Sequence, residues 1–380
     1  VLPLGLTPEA LAAAADETDP GSLGAGSRLR ARFGAELAAA AVDQVVLRRR
    51  AWAKFGDAAD GLFLTRDGLE QATRPAVADH HAVRLAATGA TTVLDLGCGI
   101  GADALAFVRA GLRVIAVERD PRTAEIARAN LDGTGAEVLT GDAEEVVDGL
   151  LGRVDAVYLD PARRAGSGRL WRVEDFTPPW ALTTRLLDGS RPAAVKLGPA
   201  LPHRLVPDGV EAEWVTDHGE TVEVGLYAGP GVTPGRAALV MPDHRLVPDP
   251  GARVAVRPLG AVLIEPVGSV IRAGAIPTLA AALDAGLVAD DLAYLTADTV
   301  PDTPFATAFA VREVLPWKEK MLRGWVRERA VGRLEIKVRG LDVDPAQLRK
   351  RLRPSGPGEA TLIITRTPDG ARVVVADRLG

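Results

Sequence analysis

Thr92–Leu96 is an apolar run, Gly97-Cys98-Gly99-Ile100-Gly101 breaks it, and Ala102–Ala110 resumes with apolar residues at helical spacing. Glycines at alternate positions let the backbone adopt conformations closed to other residues and approach a ligand closely, so the stretch reads as strand, tight turn and helix. A strand that enters a helix through such a turn belongs in a parallel sheet, with its ligand at the turn.

The alternation continues downstream. Arg113–Val117, Ala136–Thr140, Val154–Leu159 and Ala193–Leu197 have the composition of buried strands, and Pro121–Leu131 and Pro178–Leu187 have the spacing of helices. Val210–Val215 and Thr221–Ala228 read as an antiparallel pair across Thr216–Glu220. Upstream, residues 1–80 are rich in Ala, Leu and Arg, with helix-period stretches at Pro8–Ala15 and Leu29–Trp52; Arg48-Arg49-Arg50 near the end of the second reads as a charged helix face. Gly229-Pro230-Gly231-Val232-Thr233-Pro234-Gly235 marks a boundary. The expected plan is a helical region 1–80, an α/β domain 81–230, a mixed connecting region 231–310 and a compact domain 311–380. The connecting region holds a strand at Gly260–Glu265 and a helix at Thr278–Ala285. The last domain holds a strand at Arg333–Val338, a helix at Pro345–Leu352, and strands Ala360–Thr365 and Arg372–Ala376 joined by Pro368-Asp369-Gly370.

Composition narrows the class of protein. Hydrophobic residues at 47% and charged residues at 25% describe a globular chain, not a disordered one. Cys98 is the single cysteine, so neither a disulfide within this sequence nor a cysteine zinc site is expected. No apolar run approaches the roughly 18 residues that cross a bilayer, and Val1–Leu6 has no basic leader character; a cytoplasmic protein without membrane association is expected. His80 and His81 lack matching carboxylate or cysteine spacing and read as packed or surface histidines, so no metal is expected. Charge is uneven: residues 311–380 carry 16 Lys/Arg against 9 Asp/Glu although the whole chain is at −5. That surplus points to a polyanion partner for the C-terminal part.

The candidate site residues sit at strand ends. Gly97, Gly99 and Gly101 form a cofactor cradle, and Glu118, closing the second strand, is placed to accept hydrogen bonds from two ribose hydroxyls. On these residues alone a dinucleotide enzyme fits as well, since Gly97-x-Gly99-x-x-Ala102 satisfies the relaxed dinucleotide pattern. Asp95 precedes the glycines, Gly141-Asp142-Ala143 follows the third strand, and Asp160-Pro161-Ala162-Arg163 ends the fourth.

This series resembles the class I S-adenosylmethionine-dependent methyltransferases. The resemblance implies a Rossmann-like seven-stranded methyltransferase sheet, with an N-terminal helical region and a small α+β C-terminal domain, and S-adenosyl-L-methionine as cofactor. It assigns Asp95 to Gly101 to the first motif, Glu118 to ribose, Asp142 with Ala143 to adenine, and Asp160-Pro161 to the methyl acceptor. Asp67–Pro75 is similar to the segment leading into trimethylguanosine-synthase-like cores, which makes Gln71 and Thr73 cofactor-side candidates. Enzymes that methylate amino nitrogens continue the acceptor motif with a second proline and an aromatic. Here Ala162 and Arg163 stand in those places, so Arg163 or Arg164 is a candidate to stack on a base or contact phosphate. Trp171 is a candidate lid residue and Lys196, ending the fifth strand, a candidate substrate contact. Thr177-Pro178-Pro179-Trp180 lies too far along the chain to continue the motif and reads as a helix start.

The C-terminal part, from Gly332 through Leu352, resembles the THUMP-like domain of bacterial methyltransferases. THUMP domains capture RNA, so tRNA or rRNA is the implied partner, with Lys337, Arg339, Arg349, Lys350, Arg351 and Arg353 on its phosphates. The expected activity is methyl transfer to a nitrogen of structured RNA. A methyltransferase of a small molecule or protein, and a non-catalytic RNA-binding protein that keeps the cofactor fold, are the alternatives. The oligomeric state stays open.

Overall fold

The computed structural model describes residues 2–163 and 173–379. The chain forms two compact units, Val1–Ala212 with Glu223–Gly235, and Glu213–Val222 with Arg236–Gly380.

The first unit begins with helices α1 (Pro8–Ala15), α2 (Leu23–Phe33), α3 (Ala35–Phe55), α4 (Arg66–Gln71) and α5 (Pro75–Ala86). The stretch Leu29–Trp52 is therefore two helices rather than one. Gly34, at φ 83°, is the break, because only glycine takes that conformation without strain. Strands and helices then alternate: β1 (Thr92–Leu96), α6 (Ala102–Arg109), β2 (Arg113–Glu118), α7 (Pro121–Asn130), β3 (Glu137–Thr140), α8 (Ala143–Leu150), β4 (Ala156–Leu159), the short β5 (Ala162–Arg163) and β6 (Phe176–Thr177), α9 (Trp180–Leu186), β7 (Ala193–Leu197), β8 (Glu211–Asp217) and β9 (Glu220–Ala228). The order is β3-β2-β1-β4-β7-β9-β8-β10-β11, nine strands rather than the expected seven, because the chain continues past the Gly229–Gly235 turn into two further edge strands, β10 (Gly235–Val240) and β11 (His244–Leu246). Glu213–Val222, the end of the β8–β9 hairpin, belongs to the second unit. β1, β2, β3, β4 and β7 are parallel, and β9 returns antiparallel to β7. Every residue of β1 is buried, as expected of a strand covered on both faces. The order reverses between β1 and β4, whose following turns run to opposite sides and open a crevice at the strands' carboxyl ends. The N-terminal helices close this region: Leu47, Leu64 and Leu29 share a core with Ile100 of the glycine turn and Ile126 of α7.

The second unit contains β10 (Gly235–Val240), β11 (His244–Leu246), β12 (Val262–Pro266), α10 (Gly268–Ala273), α11 (Ile276–Ala282), β13 (Gly286–Leu287), β14 (Leu295–Ala297), β15 (Ala306–Pro316), α12 (Glu319–Glu328), β16 (Val331–Arg339), α13 (Pro345–Leu352), β17 (Gly358–Thr367) and β18 (Gly370–Leu379). Its main sheet runs β13-β14-β12-β15-β18-β17-β16, antiparallel except for β16 and β17, which α13 connects in parallel. The period-two alternation of β17 and β18 divides their side chains between two cores. Leu362, Ile364, Val373 and Val375 pack with Leu322, Trp325 and Val326 of α12 and Leu348 and Leu352 of α13. Ile363, Val374 and Ala376 face Leu263, Tyr294 and Phe309. Each large side chain so buried contributes about 1.5–3 kcal/mol.

Candidate active site

The turn after β1 is held from within. The amides of Gly97 and Cys98 donate to the carbonyl of Val117 at 2.9 and 3.0 Å, and that of Gly99 donates to Glu118 Oε2 at 3.0 Å. All three glycines have positive φ, and a Cβ on Gly97 would come within 3.4 Å of the Asp160 carbonyl. The turns after β1 and β4 thus lie within van der Waals contact of each other. Asp120 N donates to the other Glu118 oxygen at 2.8 Å, so the carboxylate at the end of β2 is aimed by two backbone amides. A carboxylate has about four acceptor positions, which leaves capacity for further donors. Asp142 caps α8 through Oδ1, accepting from Glu144 N at 2.9 Å. Asp95 lies beneath the turn, buried, with Oδ2 unpaired among the described residues. Burial, reinforced by the carboxylates of Asp103, Asp160 and Glu118, pushes its carboxyl well above the usual range.

Across the crevice lies a chain of polar side chains. Lys196 Nζ, from the end of β7, is 2.5 Å from Asp160 Oδ2 and donates to Thr73 Oγ1 at 3.0 Å. Thr73 in turn donates to Asp103 Oδ2 at 2.7 Å, and Tyr158 OH donates to Asp103 Oδ1 at 3.1 Å. Burial acts to lower Lys196, but the carboxylates of Asp160 and Asp103 outweigh it and hold the ammonium above the ordinary lysine range. Burial pushes Asp160 upward and Lys196 pulls it back; the net displacement is upward. Behind the chain, His81 is fully buried with Nε2 at 2.7 Å from Glu223 Oε1 and Nδ1 at 3.0 Å from Tyr227 OH. It is a packed histidine.

These groups surround a cleft of about 980 Å³. Gly97, Gly99, Glu118, Asp142, Ala143, Asp160, Pro161, Lys196 and Gln71 all line it, so the structure brings most of the expected site residues together. Thr73 is buried behind them, its hydroxyl committed to Lys196 and Asp103. Gly101 begins α6, where a Cβ would press on Leu131 at 3.3 Å. Arg164, Trp171 and the Arg163 side chain lie outside the described residues. Pro179 caps α9, as expected of a helix start. Yet β5 and β6 pair, placing Ala162 opposite Thr177, and both Thr177 and Pro178 line the cleft beside Pro161. Spacing along the chain missed that approach. Sequence reading also missed Asp103 and Tyr158; the signal for both was a polar group inside an otherwise buried element, which must find a partner.

The expected phosphate contacts of the second unit divide into two sets. Lys337 and Arg339 pair with Glu265 at 2.7 and 3.8 Å. Arg349, Lys350, Arg351 and Arg353 are exposed around the end of α13, where Arg351 also meets Glu319 at 3.0 Å. Among the described residues no helix is long and apolar enough to cross a membrane, and no cluster of His, Cys, Asp or Glu is arranged to hold a metal ion.

A sheet whose five parallel strands β3-β2-β1-β4-β7 carry this glycine turn and these acidic strand ends defines a class I methyltransferase core. Residues 93–162 match the family model of a methyltransferase domain, 306–378 that of a THUMP domain-like module, and 8–51 that of a domain of unknown function. An uncharacterized S-adenosylmethionine-dependent methyltransferase of Mycobacterium tuberculosis H37Rv is 32% identical over 360 residues, which cover 90% of this chain and 96% of that protein. The chain belongs to this family of S-adenosylmethionine-dependent methyltransferases. The same fold runs the length of a crystal structure from Porphyromonas gingivalis W83, with TM-score 0.76 and 24% identity over 97% of this chain and 98% of that one. A shorter likeness, 36% over 107 residues, covers 28% of this chain and 37% of the 4-amino-L-phenylalanine/4-methylamino-L-phenylalanine methyltransferase of Streptomyces pristinaespiralis.

Proposed function

We propose that the protein methylates a nitrogen of a structured RNA, tRNA or rRNA, in the cytoplasm, with residues 81–230 as the catalytic domain and 311–380 as the RNA-capturing one. The observation that carries this reading is the Asp160 carboxylate, anchored by Lys196 yet 28% exposed on the cleft wall, at the strand end next to the glycine turn. The cleft suits the cofactor: Gly97 and Gly99 hold the cradle in positive-φ conformations, at 81° and 56°, that other residues rarely adopt, and the carboxylates of Glu118, Asp142 and Asp160 on its walls favour a cationic sulfonium.

In this reading Glu118 holds the ribose hydroxyls, Asp142 and Ala143 the adenine, and Gly97 and Gly99 the remainder, with Asp95 and Gly101 shaping the turn from outside the cleft lining and Gln71 covering the cleft. Bound adenosylmethionine supplies a methyl group already activated by its sulfonium. Asp160 and the Pro161 backbone then have to hold the acceptor in line and exclude misaligned approaches, which is most of the catalysis. Thr73 supports Lys196 from behind rather than touching the cofactor. Arg163, Arg164 and Trp171 are offered to the RNA on their sequence position alone. Arg349, Lys350, Arg351 and Arg353 are offered to its phosphates, with Lys337 and Arg339 in a lesser share.

Tritiated methyl from adenosylmethionine should pass to total RNA from a strain lacking the gene, and to RNA from the parent strain much less. No incorporation into either would sink the RNA reading. The likeness to the aminophenylalanine methyltransferase supports a second reading, a small aromatic amine as acceptor; label recovered in the small-molecule fraction of the same assay would favour it.

A further inference from the structure

The proposed reading names an RNA nitrogen without saying which kind. Lys196 and Asp160 narrow it. Lys196 has three N–H donors; one meets Asp160 Oδ2 at 2.5 Å and another meets Thr73 Oγ1 at 3.0 Å. Thr73 spends its single proton on Asp103 Oδ2 at 2.7 Å, so toward Lys196 it can only accept. The direction of the chain is thereby fixed, and the third Lys196 donor is left at the cleft, which Lys196 lines. Asp160 keeps Oδ1 without a hydrogen-bond partner among the described residues, on the same wall. An acceptor atom and a donor atom, held as one ion pair, therefore face the cleft side by side. Pro161 and Pro178, with Ala162 and Thr177 brought across by the β5–β6 pairing, line the same cleft and offer a planar ring apolar contact.

We infer that Asp160 and Lys196 together read the amide or amidine edge of a nucleobase, so that the methylated nitrogen carries a hydrogen and adjoins a carbonyl or an unprotonated ring nitrogen. This rests on the RNA reading above. Asp160 Oδ1 accepts the hydrogen of the target nitrogen, and the third Lys196 donor meets the neighbouring acceptor atom. Other nucleophiles fit the couple badly. A ribose hydroxyl carries donor and acceptor on one atom, so Lys196 would occupy the lone pair that must attack. An aliphatic ammonium would face the lysine's like charge. A ring nitrogen without hydrogen offers Asp160 nothing to accept. In the transfer the nitrogen lone pair forms the bond to the methyl carbon as the methyl–sulfur bond breaks, its electrons staying on sulfur. The proton lost by the nitrogen leaves on Asp160 Oδ1 and passes to solvent, while Lys196 keeps its own.

The test combines product identity with variants. Methylated nucleosides from the deletion-strain RNA, treated with wild-type enzyme, are identified by mass spectrometry; kcat/KM against pH is then measured for wild type, Lys196→Met and Lys196→Arg, with adenosylmethionine affinity by calorimetry confirming that each variant is folded. The expected product carries its methyl on an exocyclic amino group or a ring N–H. Lys196→Met should lower kcat/KM roughly 100-fold with cofactor affinity within about threefold, and Lys196→Arg should recover part of the loss. The acid limb of the Lys196→Met profile should move to higher pH, because Asp160 then faces Asp103 and Glu223 without a counter-charge. Methyl on a ribose oxygen, a base carbon or a ring nitrogen that bears no hydrogen would overturn the inference while leaving RNA methylation standing. So would a Lys196→Met enzyme whose rate and acid limb are unmoved. RNA that accepts no methyl, with label passing instead to a protein glutamine carboxamide, would overturn both.

Discussion

At the scale of single residues, the two walls of the cleft make separable predictions. In the proposed function Asp160 holds the acceptor, so Asp160→Ala should reduce methyl transfer at least 100-fold while calorimetry finds adenosylmethionine affinity within a few fold. Activity preserved in that variant would make Asp160 a structural partner of Lys196 alone. Glu118 behaves in the opposite way. Its oxygens already take the amides of Gly99 and Asp120, so Glu118→Gln puts an amide NH₂ against one of them and removes an acceptor for ribose. Cofactor affinity should fall by roughly 10–100-fold, with kcat at saturating adenosylmethionine much less changed; equal loss in both would count against the ribose role. Glu118 and the glycines were legible because their chemistry demands a residue type at a strand end. Asp103 and Tyr158 were not, since their partners lie 30 and 55 residues away and only the folded sheet brings them together; His81 was legible as a packed histidine, but its partner Glu223, 142 residues on, was not.

At the scale of elements, the wall formed by α4 and its approach is tied down from two helices, α3 and α7. Gln44 of α3 donates to the Leu64 carbonyl at 2.7 Å and accepts from its amide at 2.9 Å. Asn130 of α7 joins the carbonyls of Phe63 and Ile100 at 2.9 and 2.8 Å. Lys54, at the end of α3, donates to the carbonyls of Leu69 and Glu70 at 2.8 and 3.3 Å. Burial first, then Lys196 and Arg74, lower Lys54 from 10.5 to about 8. Between those values the unfolded chain binds a proton that the folded chain has released, so this group's share of stability rises with pH across that window. Below the folded value the cost of burying the charge is present in full. The urea midpoint of wild type relative to Lys54→Met should therefore increase between about pH 7.5 and about pH 9.5; a constant difference would show that Lys54 does not titrate there. Elements with one clear period were legible: β1, β7 and α13 have the boundaries expected. β15 and α12 escaped. β15 alternates in a register shifted by a bulge between Val311 and Glu313, and α12 buries only Leu322, Trp325 and Val326 in a strongly charged helix.

At the scale of the whole molecule, the question is what a positive surplus of seven over residues 311–380 does. The count alone overstates the surface open to a polyanion such as the proposed RNA. Lys337 and Arg339 lie against Glu265 and over the rings of Phe309 and Tyr294, which makes them packing residues as much as charges. Arg349 and Lys350 are exposed on α13 with no ion pair among the described residues, and the last turn of a helix is where cations are favoured. Each phosphate contact removed lowers the slope of log affinity against log salt by about one. Reversing both charges, Arg349→Glu with Lys350→Glu, should therefore flatten that slope by about two or more, raise KM for RNA, and leave kcat and adenosylmethionine affinity unchanged. Lys337→Gln should instead lower the melting temperature and change the slope by less than one, because its charge is spent on Glu265. Filter binding of the deletion-strain RNA at several salt concentrations reads the slopes directly. A slope untouched by the double reversal, or one moved more by Lys337→Gln, would place the RNA-binding face away from α13.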